Sequence, residues 1–268
     1  MGEQTATVLV VGATGSIGRH VVAEALREGY AVRALVRDMG QAGRFPPAAE
    51  VVTGDLTRAD TLARAVAGID AVVFAHGSNG GAPGAEAVDY GAVRNVLAAL
   101  SGRRVRIALM TAIGVTDREG AHDWKRRGER LVRASGLAYT IVRPGWFDRN
   151  APDQHRLVLL QGDRRQSGTP RDGVVARRQI AEVLVRSLRS DTALRKTFEL
   201  VAEAGPEPDD FDALFAPLDS DPEGALDGAR DATNMPLGAE PPQVLEELEE
   251  IVARSAVVPP DIGRPLEV

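Results

Sequence analysis

The sequence predicts an α/β fold built on a doubly wound parallel sheet. Between residues 6 and 144, apolar runs of strand length alternate with stretches of helical spacing about six times. The apolar runs lack an inside-outside alternation, which is typical of strands buried on both faces of a sheet. Strands separated by helices pair in parallel through right-handed crossovers.

The elements follow in chain order. The predicted strands are residues 6–11, 31–36, 50–53, 69–75, 105–110 and 138–144. The predicted helices are residues 16–28, 57–68, 85–100 and 123–135. Gly29 and Gly68 follow two of these helices as stop signals, and Pro144 ends the sixth strand.

Beyond residue 145 the pattern is weaker. Residues 156–165 predict an irregular strand and turn, 177–188 an amphipathic helix and 196–202 a late strand. From Gly205 the composition shifts towards Pro, Asp, Glu and Gly, and residues 241–254 predict a terminal helix.

Composition excludes several classes of site. The 268 residues carry a net charge of −6 without a basic block, which argues against nucleic-acid binding. The absence of cysteine excludes disulfides, zinc–thiolate sites and thiol nucleophiles, and the four histidines show no metal-ligand spacing. No basic-then-apolar leader and no membrane-length apolar run is present, so we expect a cytoplasmic protein without a membrane partner.

A glycine-rich turn follows the first strand, in V-V-G-A-T-G-S-I-G-R-H at residues 10–20. Gly12 permits a tight turn, Gly15 lets a pyrophosphate approach the backbone, and Gly18 lets the next helix pack against the strand. The helix N-terminus then faces the phosphates. The turn predicts a Rossmann-like nucleotide site that includes Gly12, Thr14, Gly15, Ser16, Ile17 and Gly18.

This turn resembles that of the atypical short-chain dehydrogenases/reductases, in their NAD(P)-binding, NmrA-like branch. L-V-R-D, G-D-L and S-G-L-A-Y-T-I-V-R-P-G agree with the same family, and the resemblance covers residues 6 to about 202. It implies an NAD(P)-binding domain over residues 1–204, with a small substrate-side region from about 146. Residues 205–268 are predicted to form an acidic C-terminal extension.

The end of the second strand predicts the choice of coenzyme. The resemblance implies that Arg37 clamps the 2′-phosphate of NADP(H), since a guanidinium forks onto phosphate oxygens. Asp38 could instead bond a ribose hydroxyl, so NADP(H) is preferred and NAD(H) remains possible. Asp55, followed by Leu56, resembles the carboxylate that accepts from the adenine amino group, or it caps a helix. Arg44 is a further candidate contact.

The usual catalytic pair of this superfamily is incomplete in the sequence. The family's lysine falls on Lys125, but Ala121 stands where the tyrosine would be four residues earlier. Thr111 is the nearby hydroxyl, although the aligned position could be Ala112. The resemblance implies that Lys125 contacts the nicotinamide ribose.

The residues around Lys125 also allow an ordinary surface helix. Lys125 could pair with Glu129 at i+4, and W-K-R-R-G-E-R could be a solvated face. His122 and Asp123 could replace the tyrosine as an acid, or serve only as a surface histidine and a helix cap.

Two further segments should reach the carboxyl edge of the sheet, where open α/β sheets bind ligands. In the loop from Ala75 to Gly81, small residues such as Gly77 allow close approach to the coenzyme, and His76 either faces the substrate or caps the loop.

The second segment follows the sixth strand. Pro144 and Gly145 resemble the family segment beside the nicotinamide, and Trp146 and Phe147 could form a substrate wall or pack in the core.

Three functional hypotheses follow. The first is an NADP(H)-dependent oxidoreductase that reduces a small carbonyl, enone, quinone or imine without the usual tyrosine. The second is a non-catalytic NADP(H) sensor, and the third is a sugar-nucleotide epimerase or dehydratase, which would need an intact tyrosine. We expect a small-molecule substrate and a monomer or homodimer.

Overall fold

A computed structural model describes residues 5–78 and 81–256, and an eight-stranded sheet forms the centre of this part of the chain. Its strands are β1 (Thr7–Val11), β2 (Ala31–Val36), β3 (Ala49–Thr53), β4 (Ala71–Phe74), β5 (Arg106–Met110), β6 (Ala138–Pro144), β8 (Arg156–Leu160) and β10 (Lys196–Glu203). They lie in the order β3-β2-β1-β4-β5-β6-β10-β8 across the sheet. All pair in parallel except β8, which runs antiparallel to β10. The predicted Rossmann-like sheet is confirmed, with two strands added at one edge.

The helices cover both faces of this sheet. They are α1 (Gly18–Arg27), α2 (Gly81–Gly84), α3 (Gly91–Leu100), α4 (Gly120–Ala134), α5 (Arg177–Ser187), α6 (Phe211–Phe215) and α7 (Pro242–Ala256). A π-helical segment, Ala85–Tyr90, joins α2 to α3. A short parallel pair, β7 (Trp146–Phe147) and β9 (Val174–Val175), lies outside the main sheet.

Two apolar clusters sit on opposite faces of the sheet. One contains Val21 of α1 and Leu184 of α5. The other contains Leu97 of α3, Leu131 of α4 and Leu248 of α7. Such burial on both faces explains why the strands read as continuous apolar runs. Among the described helices, none combines the length and apolar character needed to cross a membrane.

The helix predicted over residues 57–68 is wrong: the segment contains one short 3₁₀ turn, Ala59–Thr61, followed by further turns. Competing hydrogen bonds provide the physical reason. Arg33 of β2 donates to the carbonyls of Arg64, Ala65 and Ala67 at 3.3, 3.0 and 2.7 Å. The Thr61 hydroxyl donates to the carbonyl of Arg58 at 2.7 Å. These donors satisfy carbonyls that a regular helix would otherwise use.

The charged face of α4 is buried under the C-terminal extension, so the solvated-face interpretation of residues 124–130 is wrong. Arg130 donates to Asp227 and Glu240, and Arg127 also donates to Glu240. We call this set of ion pairs the arginine layer; its members are Arg126, Arg127, Glu129, Arg130, Arg133, Arg143, Asp221, Asp227, Asp231 and Glu240.

The rest of the extension adds to this cover. The Tyr90 hydroxyl and Arg94 both bond Glu247 of α7. The C-terminal extension therefore packs directly against α3, α4 and the π-helical segment.

Candidate nucleotide-binding site

The glycine turn lies at the carboxyl end of β1, between β1 and α1. Gly12 has a φ of +82°, and a Cβ atom there would lie 2.7 Å from backbone atoms of His76. A Cβ at Gly18 would overlap the carbonyl oxygen of Gly12. The tight turn at Gly12 and the close packing at Gly18 follow from these contacts, because any side chain would separate β1, β4 and α1.

The remaining part of the turn is open and rich in donors. Thr14, Gly15 and Ser16 are exposed, while the Gly15 N–H donates to the Gly12 carbonyl at 2.9 Å. Within residues 5–78 and 81–256, the N–H groups of Thr14, Ser16 and Ile17 have no backbone or side-chain acceptor. Free amides at the N-terminus of a helix form an anion site. The turn therefore fits the pyrophosphate of a dinucleotide.

The predicted coenzyme-selecting residues lie together beyond β2 and β3. Arg37 is exposed. Asp55 accepts from the N–H and hydroxyl of Thr57, and these bonds, aided by Arg37, lower the pKa of the Asp55 carboxyl. Asp38 accepts from the Gly40 N–H at 2.9 Å and so caps a 3₁₀ turn. The adenine contact of Asp55 stays a prediction, as does the role of Arg37.

Leu56 follows Asp55 and is partly buried against the second apolar cluster. Its carbonyl accepts from the Asn95 side chain at 2.7 Å, which fixes the loop after β3.

His76 is buried at the end of β4, between the glycine turn and Asp89. Its Nε2 lies 3.3 Å from the Asp89 carbonyl, so this nitrogen is the donor and Nδ1 is an acceptor. Burial lowers the pKa of the imidazole against the opposing charge of Asp89. A neutral, buried ring is a poor proton donor, so the substrate-facing role of His76 loses support. Its Nδ1 has no partner among the described residues.

Lys125 points to Asp89 and not to Glu129. Its ammonium pairs with the buried Asp89 carboxylate, which also accepts from the Ser78 hydroxyl at 2.6 Å. The i+4 surface pair is therefore wrong. A Cβ at Gly77 would lie 3.7 Å from Asp89 as well. The loop after β4 thus meets α4 through Asp89, and Ala75 within it is buried. Asn79 and Gly80 of the predicted loop lie outside the described residues.

Thr111 lies directly after β5 and contacts the arginine layer. Its hydroxyl donates to Glu129 at 2.7 Å, and the same carboxylate accepts from Arg143 at 2.7 Å. Burial raises the pKa of Glu129, but Arg143 and Arg133 outweigh it and hold this pKa below its ordinary value. The Thr111 proton is therefore committed to a buried carboxylate, so Thr111 is not available as the hydroxyl that assists a substrate.

His122 lies near the start of α4. Its Nδ1 is 3.0 Å from Asp117, which also accepts from the Glu119 N–H at 3.1 Å. One possible ligand atom from each of these three residues falls within 4.8 Å of the others. Hydrogen bonds within the group account for this arrangement, and the expected absence of a metal stays a prediction. Asp123 pairs with Arg118 at 2.9 Å.

The segment after β6 crosses the same edge of the sheet. Pro144 and Gly145 are buried, and a Cβ at Gly145 would lie 2.5 Å from the Gly173 carbonyl oxygen. Trp146 is 41% exposed and Phe147 is partly buried. An exposed tryptophan fits the predicted wall better than core packing.

Sequence reasoning missed three residues of this edge. Asp89 falls within the helix predicted over residues 85–100 and carried no separate signal; it lies in the π-helical segment and pairs with Lys125. Asp148 and Arg177 form an ion pair beside the glycine turn, 29 residues apart in the chain. A charged residue directly after Trp146 and Phe147 was the available signal for Asp148.

Comparison with known proteins assigns the family. A family model described as NAD(P)H-binding matches residues 12–191, about two thirds of the chain. The chain therefore belongs to this NAD(P)H-binding family, and the resemblance to atypical short-chain dehydrogenases/reductases is confirmed.

Two curated relatives are chloroplast proteins. The chain is 30% identical over 244 residues to an uncharacterised chloroplast protein of Arabidopsis thaliana, covering 78% of this chain and 74% of that one. It is 29% identical over 233 residues to protein TIC 62 of Pisum sativum, covering 73% of this chain. The match spans only 43% of TIC 62.

A solved structure has the same architecture. A Bacillus halodurans protein named as an NAD-dependent epimerase/dehydratase superposes with a TM-score of 0.65 at 25% identity. The match covers 79% of this chain and 97% of that one.

Proposed function

We propose that the protein is an NADP(H)-dependent oxidoreductase that reduces a small carbonyl, enone, quinone or imine compound. The observation that carries the proposal is the glycine turn, where the amides of Thr14, Ser16 and Ile17 have no acceptor among the described residues, set on the same sheet edge as Lys125 and the exposed Trp146. The exposed Arg37 near Asp55 supports NADP(H) over NAD(H), since a guanidinium matches a 2′-phosphate.

The residues of this edge have separate roles in binding the coenzyme and the substrate. The bound coenzyme supplies a hydride to the acceptor. Asp89 orients the Lys125 ammonium, whose remaining N–H groups have no acceptor among the described residues and can bond ribose hydroxyls or a substrate oxygen. Trp146 and Phe147 provide the aromatic wall against which the substrate packs in this proposal. Close, aligned holding of two reactants supplies much of a rate enhancement by itself.

The proton comes from His122 or a water in this proposal. The Tyr90 and Tyr139 hydroxyls bond Glu247 and Asp221, away from the glycine turn. His122 lies three residues before Lys125 on α4, and such residues share a helix face. We therefore expect modest turnover, restricted to activated acceptors.

The test is NADPH oxidation at 340 nm with a panel of quinones, enones, imines and aldehydes. His122→Gln should reduce turnover by about 10²-fold at most, because a water replaces this acid. Lys125→Met should cost more, and Lys125→Arg, which retains the charge beside Asp89, should recover part of the loss.

A sensor function is the second candidate, favoured by one observation: Thr111 and His76 hold their protons in other hydrogen bonds. Tight NADPH binding with no turnover on the whole panel, together with capture of a partner only in the presence of NADPH, would establish the sensor instead. The name of the Bacillus halodurans relative suggests an epimerase as a third candidate. That reaction would need a tyrosine four residues before Lys125, where this chain has none.

A further inference from the structure

Arg177 is far from the glycine turn in the sequence but contacts it in the fold. It is the first residue of α5, and its Nε donates to the Ser16 hydroxyl at 3.0 Å. Ser16 belongs to the turn, and its own N–H is one of the amides without an acceptor among the described residues. The contact links the turn before α1 to α5, and these two helices pack against each other on one face of the sheet.

The Arg177 side chain is held in place from two directions. Asp148 accepts from the Arg177 N–H at 3.0 Å and pairs with its guanidinium through Nη1. The Phe147 ring lies 5.2 Å from the guanidinium carbon, within range of a cation–π contact. Both contacts restrict the long side chain, so little further entropy is lost when it binds a ligand.

Part of the guanidinium remains open. Arginine has five N–H donors, of which Ser16 takes one and Asp148 another. Among the described residues, the Nη2 group has no acceptor, and the side chain is 30% exposed. The open donors are thus next to exposed amides that already fit a phosphate.

We propose that Arg177 binds the coenzyme pyrophosphate, donating from its open Nη2 edge while Asp148 and Phe147 hold it over the turn. The inference rests on the proposed function for the identity of the ligand. Arginine is suited to this role because its planar fork matches phosphate oxygens. Since NADPH and NADH share the pyrophosphate, Arg177 contributes to the affinity for both and leaves the choice between them to Arg37.

The test compares Arg177→Gln with Arg178→Gln in calorimetric titrations of NADPH and NADH. Arg178 is the matched control, because it is adjacent, loses the same charge, is 60% exposed and pairs with Glu207. Arg177→Gln should weaken both coenzymes by the same factor, about tenfold or more, as for a charged hydrogen bond. Arg178→Gln should stay within about twofold of the wild type.

A probe without pyrophosphate separates binding from a structural effect. Arg177→Gln should leave the affinity for adenosine 2′-monophosphate unchanged, and Arg177→Lys, with charge but no fork, should fall between the wild type and Gln. Equal losses for Arg177→Gln and Arg178→Gln overturn the inference, as does an equal loss for adenosine 2′-monophosphate and NADPH. If Arg177→Gln fails to fold, wild-type affinity in Arg177→Lys overturns it.

These outcomes remain distinct from failure of the proposed function. Coenzyme binding by the wild type without an effect at Arg177 removes this inference alone. A wild type that binds neither coenzyme removes both.

Discussion

The glycine turn and the arginine layer handle polar groups in opposite ways. At the turn, the amides of Thr14, Ser16 and Ile17 have no acceptor among the described residues, and Thr14 and Ser16 are exposed. In the arginine layer, buried guanidiniums of α4 and β6 each meet a carboxylate. Donors left open at an exposed edge are ready for a ligand, whereas donors paired in the interior hold the fold together.

Two buried carboxylates near Arg143 differ in how fully they are hydrogen-bonded. Buried charges are costly unless they are paired and fully hydrogen-bonded. Glu129 meets this condition, since its two oxygens accept from Thr111, Arg133 and Arg143. Glu199 of β10 does not, because its Oε1 has no hydrogen-bond partner among the described residues and lies 3.7 Å from Arg143.

The largest expected effect comes from breaking the arginine layer. Glu129→Ala leaves Arg143 and Arg133 short of a carboxylate in the interior, and should lower the free energy of unfolding by about 3–5 kcal/mol. Urea denaturation measures this change. Asp60→Ala, which removes the exposed pair with Arg58, is the control and should leave the urea midpoint close to that of the wild type. A loss below about 1 kcal/mol for Glu129→Ala would contradict the role given to the layer.

An intermediate effect is expected at the open edge. Arg37→Ala should weaken NADPH binding about tenfold or more through loss of a charged hydrogen bond, and should spare NADH. Fluorescence titration of both coenzymes measures the ratio, and Arg58→Ala, an exposed arginine paired with Asp60, serves as the control. Tighter binding of NADH than of NADPH by the wild type would refute the assignment of Arg37.

A further expected effect is a change in pH dependence at the edge of the arginine layer. Burial, opposed by Arg143, raises the pKa of Glu199 from 4.5 to about 8. The folded state therefore holds a proton that the unfolded state releases, and this residue's contribution to stability falls as the pH rises from 4.5 to about 8.

Glu199→Gln should remove that decline, which amounts to at most about 1.4 kcal/mol per pH unit for one proton. Unfolding free energies of the wild type and the variant at about pH 5 and pH 8 provide the measurement. Parallel pH profiles for the two proteins would show that Glu199 does not hold the proton.

Features set by neighbouring residues could be predicted from the sequence. Strand and helix periodicity, with three glycines at fixed spacing, predicted the sheet and the turn because each signal is local. Features set by distant residues could not. The carboxylates that pair with the buried Arg130 lie about 100 residues further along the chain, and no local pattern on α4 indicates them. The helix prediction for residues 57–68 was wrong for the same reason, because Arg33 on the distant strand β2 donates to a carbonyl of that segment.

The candidate site divides in the same way. Glycine positions came from backbone requirements that the structure bears out at Gly12 and Gly18. The side-chain partners of Lys125, Thr111 and His76 depended on Asp89 and Glu129, which only the folded chain brings near them. Chemistry that depends on side-chain partners therefore requires the three-dimensional structure.

The central claim is that the glycine turn binds a nicotinamide coenzyme. Its most direct test is calorimetric titration of NADPH into the wild type and Gly15→Val, with Gly238→Val as control because nothing lies within 4 Å of a Cβ there. We predict saturable binding at one site in the wild type and the control, and none in Gly15→Val, which should retain its circular dichroism spectrum. No binding by the wild type, or an unchanged titration in a folded Gly15→Val, would contradict the claim.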